Sequence, residues 1–559
     1  MDIALFKSDQ KTEQELFMLV ECKKKTRRDG VAQLKLYLDM SPAEVGVWFN
    51  GDEHEYLRKV HHKDGSRTYE PLPNIPRCGQ RIEDIGLFKR RDLGKPSNLK
   101  AVFRDIRNHL AGMTTGITRD EALAREIINI LFCKIYDEQE TDRDETVHFR
   151  AGVGEDAETV RQRILDLFER VKNATFDDVF DPNDAISLDA DSVRYVVGEL
   201  QNYCVTDAGR DGIGEAFEVF IGPALRGSEG QFFTPRNVVR MMAGILDPEP
   251  GDKIIDPACG SGGFLICAIE HVWAKLREQA KGKGWSQRHL FKREVEVAVD
   301  CFRGVDKDAF LAKVCKAYMA LVGDGRGGVF CANSLHRPED WPLAVAEKIK
   351  IGWFDVVMTN PPFGNKIVVK GAPLLSQFDL GHKWKLQKDT GEWANTGDVR
   401  EKQAPQLLFL ERCLQLLKPG GRMGIVLPES VLGNPSYGYV VRYLLRTCRI
   451  MAIVTMPEPL FKTSGKGGTH TKVCALVLKK EPQTDPYDIF MAEAKWCGHD
   501  SRGNPTHCRR KDGKLVLLDD IPLIAERYTT LCAGHPAPRD HLGFLLRSDL
   551  IRNQVLVPK

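Results

Sequence analysis

The residues best suited to chemistry in this chain form two short motifs, about a hundred residues apart. The first is a glycine-rich turn, Asp256-Pro-Ala-Cys-Gly-Ser-Gly-Gly263, and the second is the string Asn360-Pro-Pro-Phe363. Glycines let a backbone approach a ligand where a Cβ would collide. The second string offers acceptor oxygens, and its prolines have no N–H to compete with them. In this order, the two motifs predict transfer of a methyl group to an exocyclic amino nitrogen.

The first motif has the pattern of a strand, a turn and a helix. The apolar run 253–256 ends in Asp256, and a helical stretch begins at Phe264. An acid at this point suits the amino group of S-adenosylmethionine better than a pyrophosphate, and the turn has no Lys-Ser/Thr pair of a phosphate loop. Sites for NAD, FAD and nucleotides use similar turns, and an ordinary tight turn is the bland alternative.

A second acid is expected at the end of the next strand, where it would bind the ribose hydroxyls. Residues 302–306 predict that strand, with Asp306 at its end and a helix over 308–321. The spacing is about twice the ~20 residues of a plain dinucleotide fold. We interpret the polar segment 280–293 as a surface excursion that accounts for the excess. The alternative role for Asp306 is a helix cap.

The second motif follows the predicted buried strand 353–359. Ligands bind at the carboxyl ends of strands in open α/β sheets. An aromatic amino group is a poor nucleophile unless its protons are drawn into hydrogen bonds, and the Asn360 side-chain oxygen and the Pro361 carbonyl are two suitable acceptors. Phe363 offers a flat face for a base extruded from a duplex. A plain Asx-Pro turn is the alternative.

From about residue 99 to 559 the chain resembles the adenine-N6 DNA methyltransferases, and among them the modification subunits of type I restriction-modification systems. Besides the two motifs, the resemblance rests on strings in the family's order: Gly230-Gln-Phe-Phe-Thr-Pro-Arg236, Ala332-Asn-Ser-Leu335, Lys418-Pro-Gly-Gly-Arg-Met-Gly-Ile-Val-Leu-Pro-Glu429 and Met491-Ala-Glu-Ala494. Many relatives have Asp-Ser/Thr-Leu where this chain has Asn333-Ser-Leu. Asparagine first and phenylalanine last in the 360–363 string favour adenine over cytosine.

The resemblance implies roles for two sets of residues. S-adenosylmethionine would be bound by Gln231, Phe232, Thr234, Pro235, Asp256, Gly260, Gly262, Asp306, Asn333 and Ser334. The adenine would be handled by Asn360, Pro361, Pro362 and Phe363. The implied reaction is a direct, in-line attack of the amino nitrogen on the donor methyl group.

The N-terminus carries a different pattern. Residues 2–6 and 15–23 predict two strands joined into a hairpin, which would bring Asp2 near Glu21 and place Lys23 on the same face as Glu21. Two carboxylates can hold Mg²⁺ through oxygen ligands, and a lysine can polarise a scissile phosphate or help to form the attacking hydroxide. Outward-facing Glu and Lys are also common on ordinary strands.

A helix containing Gln33 and Tyr37 and a strand over 44–49 are predicted next. This order resembles the Asp…Glu-x-Lys nuclease domain at the N-terminus of type I restriction subunits, where a Gln-x-x-x-Tyr helix recurs. The resemblance implies a small restriction-endonuclease-like α/β domain.

Composition sets limits on the class of protein. The chain has 559 residues, a net charge of +2 and 15 cysteines. The small charge excludes a general polycation, and scattered cysteines suit a reducing cytoplasm. The sequence contains no run of ~18 apolar residues, so it predicts no membrane-spanning helix. The polar loop 498–506 argues against zinc at the nearby residues Cys497, His499, His507 and Cys508.

We expect four regions. These are a nuclease-like unit over 1–95 that closes in a linker-like stretch at 71–76, a helical domain over 99–225, a doubly wound Rossmann-like catalytic domain over 226–485, and a tail over 486–559. In single-chain relatives a target-recognition domain would follow about where this chain stops.

The sequence therefore predicts a site-specific DNA adenine-N6 methyltransferase of a restriction-modification or phage-defence system. Its expected partners are double-stranded DNA, a separate specificity subunit and a restriction subunit. Two alternatives stay open: methylation of another amino group, such as a protein glutamine, and a non-catalytic DNA-binding scaffold. Labelled donor offered with DNA or with protein separates them.

Overall fold

The computed structural model folds the chain into two compact units, Met1–Ala224 and Leu225–Lys559. It describes all residues except 1, 25–26, 28, 52, 78, 97, 114–119, 174–178, 181–182, 207–233, 324–325, 365–366, 463–470, 483–484, 511 and 551–559.

The first unit begins with a five-stranded sheet in the order β1-β2-β3-β4-β5. Its strands are β1 (Ile3–Phe6), β2 (Leu16–Cys22), β3 (Val45–Phe49), β4 (His54–His61) and β5 (Arg67–Pro71). Strands β1 and β2 form the predicted antiparallel hairpin, β2 and β3 run parallel, and the remaining pairs are antiparallel. The predicted helix is α1 (Gly30–Asp39), which buries Leu34 and Leu38 against Leu19 of the sheet.

Four longer helices follow, as the sequence predicts for this region. They are α2 (Leu99–Met113), α3 (Asp120–Glu140), α4 (Ala157–Asn173) and α5 (Ala190–Leu200). The stretch 71–76 is packed rather than linker-like: Leu72 is buried, and the Asn74 side chain donates to the Gly198 carbonyl at 2.8 Å. The prolines and turn residues of this stretch are typical of a linker. Composition alone does not reveal its contacts with a helix more than a hundred residues away.

The second unit is built on a nine-stranded sheet in the order β20-β17-β15-β16-β14-β9-β6-β7-β8. The strands are β6 (Ile254–Asp256), β7 (Phe302–Asp306), β8 (Val329–Cys331), β9 (Phe354–Thr359), β14 (Leu417–Pro428), β15 (Arg449–Thr455), β16 (Val473–Lys479), β17 (Asp488–Glu493) and β20 (Phe544–Arg547). Strands β14, β9, β6, β7 and β8 are mutually parallel, and β16 is antiparallel to β14 and β15. Apolar runs such as Ile-Ile in β6 and Val-Val-Met in β9 are typical of parallel strands covered on both faces.

Helices pack around this sheet and join its strands. They are α6 (Arg236–Leu246), α7 (Gly263–Lys283), α8 (Gln287–Cys301), α9 (Ala309–Gly323), α10 (Leu343–Lys348), α11 (Ala372–Leu375), α12 (Pro405–Leu416), α13 (Ser430–Gly433), α14 (Gly438–Thr447) and α15 (Ile521–Cys532). The fold is therefore the predicted doubly wound α/β arrangement.

Three small two-stranded sheets lie outside the main sheet: β10 (Val369–Lys370) pairs with β13 (Lys402–Gln403), β11 (His382–Leu386) with β12 (Trp393–Val399), and β18 (His507–Arg509) with β19 (Leu515–Leu517).

Two details complete the sequence interpretation. The segment 280–293 is largely exposed, as expected of a surface excursion, and it is helical, because it contains the end of α7 and the start of α8. The region after residue 486, expected to be a tail, contributes β17 and β20 to the main sheet, so it is part of the same layer as β6, β7 and β9. Among the described helices, none is long and apolar enough to cross a membrane.

Candidate active site

The strands that carry the two motifs end at one edge of the main sheet. Strand β6 lies between β7 and β9 and is parallel to both, so the residues after the three strands meet there. A cavity of about 210 Å³ opens at this edge. Its lining includes most of the predicted site residues that the structure describes: Thr234, Asp256, Gly260, Asp306, Asn333, Ser334, Asn360 and Pro362. The structure thus brings these residues together around one cavity.

The glycine turn has the backbone that the motif requires. Gly260 and Gly262 have φ values of +51° and +89°, in the left-handed region that side chains other than glycine rarely adopt. A Cβ added at Gly262 would lie 2.7 Å from Cys315 Sγ, whereas one at Gly260 would meet nothing within 4 Å. Gly262 is thus fixed by close packing, while Gly260 faces open space in the cavity wall.

Asp256 lines the cavity and is only 1% exposed. Its Oδ1 accepts a hydrogen bond from the Ala258 N–H at 3.0 Å. Burial raises the pKa of Asp256 to about 7, against the lowering effects of the neighbouring Thr359 hydroxyl and the Ala258 amide. A bound cation would relieve this cost, which matches the ammonium group expected from the sequence.

Asp306 connects β7 to the glycine turn. Its Oδ2 accepts from the Gly260 N–H and its Oδ1 from the Asp308 N–H, both at 2.9 Å. Burial raises the pKa of this carboxyl group. The residue that caps helix α9 is Asp308 rather than Asp306, because Asp308 Oδ1 accepts from the Phe310 and Leu311 amides at the start of that helix.

Asn333 and Ser334 lie in the wall of the cavity and have local partners. The Ser334 hydroxyl donates to the Pro257 carbonyl at 2.6 Å, which ties this loop to the glycine turn. The Asn333 side-chain oxygen accepts from the Leu335 N–H at 3.0 Å. Their assignment to the donor stays a prediction, and the structure adds a role in holding the loop.

A hydrogen bond between Thr234 and Asn360 joins two parts of the site. Thr234 belongs to the string 230–236, which the resemblance assigns to binding of the methyl donor and which we call the donor segment, and Asn360 begins the second motif. The Asn360 side-chain N–H donates to Thr234 Oγ1 at 2.9 Å. Pro235 follows Thr234 and precedes the first residue of α6. Gln231 and Phe232 lie outside the described residues.

The second motif presents its residues in two directions. Asn360 and Pro362 line the cavity, while Phe363 is 2% exposed and packs edge to face against Phe461, with ring centroids 6.2 Å apart. The Pro361 side of the loop is also buried. A base can stack on Phe363 only after the ring has been uncovered, so the stacking role requires a local movement.

Sequence reasoning missed the apolar part of the lining. Pro405 and Phe409 of α12, Leu311 of α9 and residues 367–369 also face the cavity. The available signal was the spacing of Pro405 and Phe409, which places them on one face of a helix. No local pattern brings that helix to the glycine turn, because the intervening chain is long.

The N-terminal residues also come together. Strand pairing of Ile3 with Val20 places Asp2 opposite Glu21, and Asp2 Oδ2 accepts from the Cys22 N–H at 2.7 Å. The Lys23 ammonium donates to Glu21 Oε1 at 2.5 Å and to the Gln33 side-chain oxygen at 2.8 Å. The Gln33 amide in turn donates to the Tyr37 hydroxyl at 2.6 Å.

This network sets the charge of its ionisable groups. The hydrogen bond to Glu21 raises the pKa of Lys23, which therefore stays protonated. Burial acts to raise the pKa of Glu21, but the hydrogen bond from Lys23 helps to bring it below the usual value. Within the described part of the chain, no three histidine, cysteine or acidic side chains are grouped as metal ligands.

The doubly wound sheet, the glycine turn and the acids at the ends of β6 and β7 define the class of S-adenosylmethionine-dependent methyltransferases. The N-6 DNA Methylase family profile matches residues 208–513, more than half of the chain, and the protein belongs to this family. A second profile, the N-terminus of the type I restriction enzyme R protein, matches residues 1–76.

The curated relatives are similar in sequence at a moderate level. The methylase subunit of the type I restriction enzyme EcoEI from Escherichia coli is 25% identical over 384 residues, which cover 65% of this chain and 67% of that protein. The EcoKI methylase subunit of Escherichia coli K12 is 25% identical over 46% of this chain and 43% of its own length. The chain thus spans about two thirds of the EcoEI subunit and less than half of the EcoKI subunit.

A solved structure confirms the fold. A chain from a study of complex assembly and conformational transition of the type I R-M system aligns with a TM-score of 0.54 and 19% identity, over 83% of this chain and 91% of that one.

Proposed function

We propose that this protein transfers a methyl group from S-adenosylmethionine to N6 of adenine in double-stranded DNA, as the modification subunit of a type I-like restriction-modification system. The observation that carries the proposal is the position of Asn360 in the wall of the cavity that also contains Asp256 and Asp306. An acceptor for an amino group is therefore placed beside a site suited to a cationic donor.

The residues fit this donor. Asp256 is buried with the Thr359 hydroxyl and the Ala258 amide as polar neighbours but no cation beside it among the described residues, so an ammonium group would offset the cost of its charge. Asp306 lies one strand further along, where it suits ribose hydroxyls. Leu311, Pro405 and Phe409 provide the apolar surface that an adenine ring requires. When bound, S-adenosylmethionine supplies an electrophilic methyl group on a sulfonium.

The chain's own part in the reaction is to orient and activate the acceptor. Hydrogen bonds from the adenine amino group to the Asn360 oxygen and the Pro361 carbonyl make the nitrogen more tetrahedral and more nucleophilic. With its protons held by these two oxygens, the nitrogen would take the methyl group that a donor held by Asp256 and Asp306 supplies, and the amino proton that it loses would pass to solvent. Holding the two reactants in line contributes several powers of ten to the rate.

The partners and location belong to the same proposal. The relatives named above are methylase subunits of type I enzymes, which supports a separate specificity subunit and a restriction subunit as partners. The described cysteines are free thiols, which supports a cytoplasmic location.

The test is methyl transfer from radiolabelled donor, in the presence of the proteins encoded beside this gene. Duplex DNA and whole protein extract are offered as separate acceptors. We expect N6-methyladenine in DNA, detected by mass spectrometry of nucleosides, and none with Asn360→Ala. Label in protein alone would favour the glutamine-type alternative, and binding of DNA without label would favour the scaffold.

A second activity, Mg²⁺-dependent DNA cleavage, is favoured by the network around Lys23. Asp2 and Glu21 would hold the ion, water and DNA phosphate would complete its oxygen ligands, and the ion would activate a water molecule. Because the Lys23 ammonium lies beside Glu21 and Gln33, we assign it to polarising the phosphate. Nicking of plasmid DNA that requires Mg²⁺ and is lost in both Glu21→Gln and Lys23→Met supports this proposal, and cleavage unchanged in both variants contradicts it.

A further inference from the structure

The side-chain contact between Thr234 and Asn360 crosses from the donor segment to the catalytic loop. The two residues are 126 positions apart in sequence, and the Asn360 N–H donates to the Thr234 hydroxyl at 2.9 Å. Both residues line the same cavity. Thr234 was expected only to touch the donor, so its contact with the acceptor loop calls for a second role.

The backbone next to Thr234 is held by a well-packed helix. Seven of the eleven residues of α6 are buried. A Cβ at Gly424 of β14 would lie 2.6 Å from Met242, so the helix lies directly on the sheet. The first turn is tied on both sides: Arg236 donates to the Tyr318 hydroxyl, and Asn237 donates to Asp519 at 2.9 Å. Thr234 is therefore a firmly placed hydrogen-bond partner.

An asparagine amide has a donor end and an acceptor end, and a half-turn about its terminal bond exchanges them. Methylation of an amino group requires the acceptor end to face the substrate. A hydroxyl can accept from the N–H end or donate to the oxygen end, and Thr234 accepts from the N–H end, so the amide is held with its oxygen end toward the substrate. A hydrophobic residue in place of Thr234 would remove the hydrogen bond that holds the amide in this way.

The geometry points to Thr234 as a positioning residue that orients the Asn360 amide, with its oxygen toward the adenine amino group. This inference rests on the proposed function for its effect on the rate, although the orientation itself is a property of the protein. It separates two roles of the donor segment: contact with the donor, and alignment of the group that activates the acceptor.

The two roles predict different kinetics for Thr234→Val. A positioning role lowers the single-turnover methylation rate at saturating donor about tenfold or more, with little change in donor Kd. A donor contact alone raises donor Kd and leaves the rate at saturation unchanged. Thr234→Ser keeps the hydroxyl and should recover most of the rate.

The matched control is Thr529→Val, which replaces an exposed threonine whose hydroxyl donates to Ala525 of its own helix. It should behave like the native protein. A native rate in Thr234→Val, or a deficit that excess donor removes, overturns the inference.

A readout without turnover keeps this test distinct from failure of the proposed function. In protein labelled with ¹⁵N-asparagine, the Asn360 side-chain signal is assigned by its loss in Asn360→Asp. We expect its chemical shift and slow proton exchange to change in Thr234→Val and to be retained in Thr234→Ser. An unchanged signal in Thr234→Val overturns the inference, whereas native protein that methylates no DNA overturns the proposed function alone.

Discussion

At the scale of single residues, the cavity places two acids in an environment that disfavours their charge. Asp256 and Asp306 are both buried, burial raises the pKa of both, and the Asp306 carboxylate further raises the pKa of Asp256. An acid kept partly neutral near pH 7 is poised to bind a cation, because the bound charge replaces the lost water. The same residue would be a poor choice for binding a phosphate.

This environment predicts a pH dependence of donor binding. Burial raises the pKa of Asp256 to about 7, and the donor ammonium binds the ionised form. Affinity should therefore be full above pH 7 and fall as the pH decreases through 7, approaching about tenfold per unit. Calorimetric titration at pH 6, 7 and 8 measures it.

The control for this dependence is Asp256→Asn, which removes the titrating group at the same volume. We expect weak donor binding with little pH dependence below 8. A native protein whose donor Kd is constant from pH 6 to 8 would contradict the assignment of Asp256 to the ammonium group.

At the scale of elements, the strand, turn and helix around the glycines were predictable from sequence because the relevant interactions are local. Strand β7 has the predicted bounds of 302–306, and β6 and β9 agree within a residue. Buried parallel strands leave a clear apolar run, and left-handed turns require glycine.

Contacts across the sheet were not predictable in the same way. Phe409 reaches the cavity through the packing of α12, and the orientation of Phe363 toward Phe461 depends on a residue about a hundred positions away. Side chains of that kind have no periodic or turn signal of their own. Neither does the link between Thr234 and Asn360.

The glycine turn yields a prediction about stability. Gly262→Ala forces a side chain into φ +89° and brings its Cβ to 2.7 Å from Cys315 Sγ. We expect the free energy of unfolding of the second unit to fall by about 1–3 kcal/mol, together with donor affinity. Urea unfolding without donor measures the first effect.

Gly263→Ala is the matched control for stability. It lies at the start of α7, and an added Cβ there meets no atom within 4 Å. Its unfolding midpoint should stay near the native value. Equal losses in the two variants would show that the turn is generally sensitive, and that the contact with Cys315 is not the cause.

At the scale of the whole molecule, each compact unit has its own core. In the first unit, side-chain hydrogen bonds connect the five-stranded sheet to the helices. Within it, the His54 imidazole of β4 lies 3.0 Å from Glu199 of α5, and Arg77 donates to the Asn202 carbonyl at 2.5 Å. Together with the hydrogen bond from Asn74 to Gly198, these bonds hold the five-stranded sheet on the helices. We therefore expect the two parts of this unit to unfold together.

Gly198→Ala tests this expectation, because an added Cβ would lie 2.3 Å from the Pro73 carbonyl oxygen. We expect the free energy of unfolding of the first unit to fall by about 1–3 kcal/mol, and the loss to appear equally in the hydrogen exchange of β4 and of α5. Saturating S-adenosylmethionine should instead protect the second unit, by about 2.7 kcal/mol at a hundred times Kd.

The control variant is Gly112→Ala, in an exposed turn of α2 with no atom near the added Cβ. It should leave the stability of the first unit unchanged or raise it by up to ~1 kcal/mol. Faster exchange in α5 alone would show that the sheet and the helices are separate folding units.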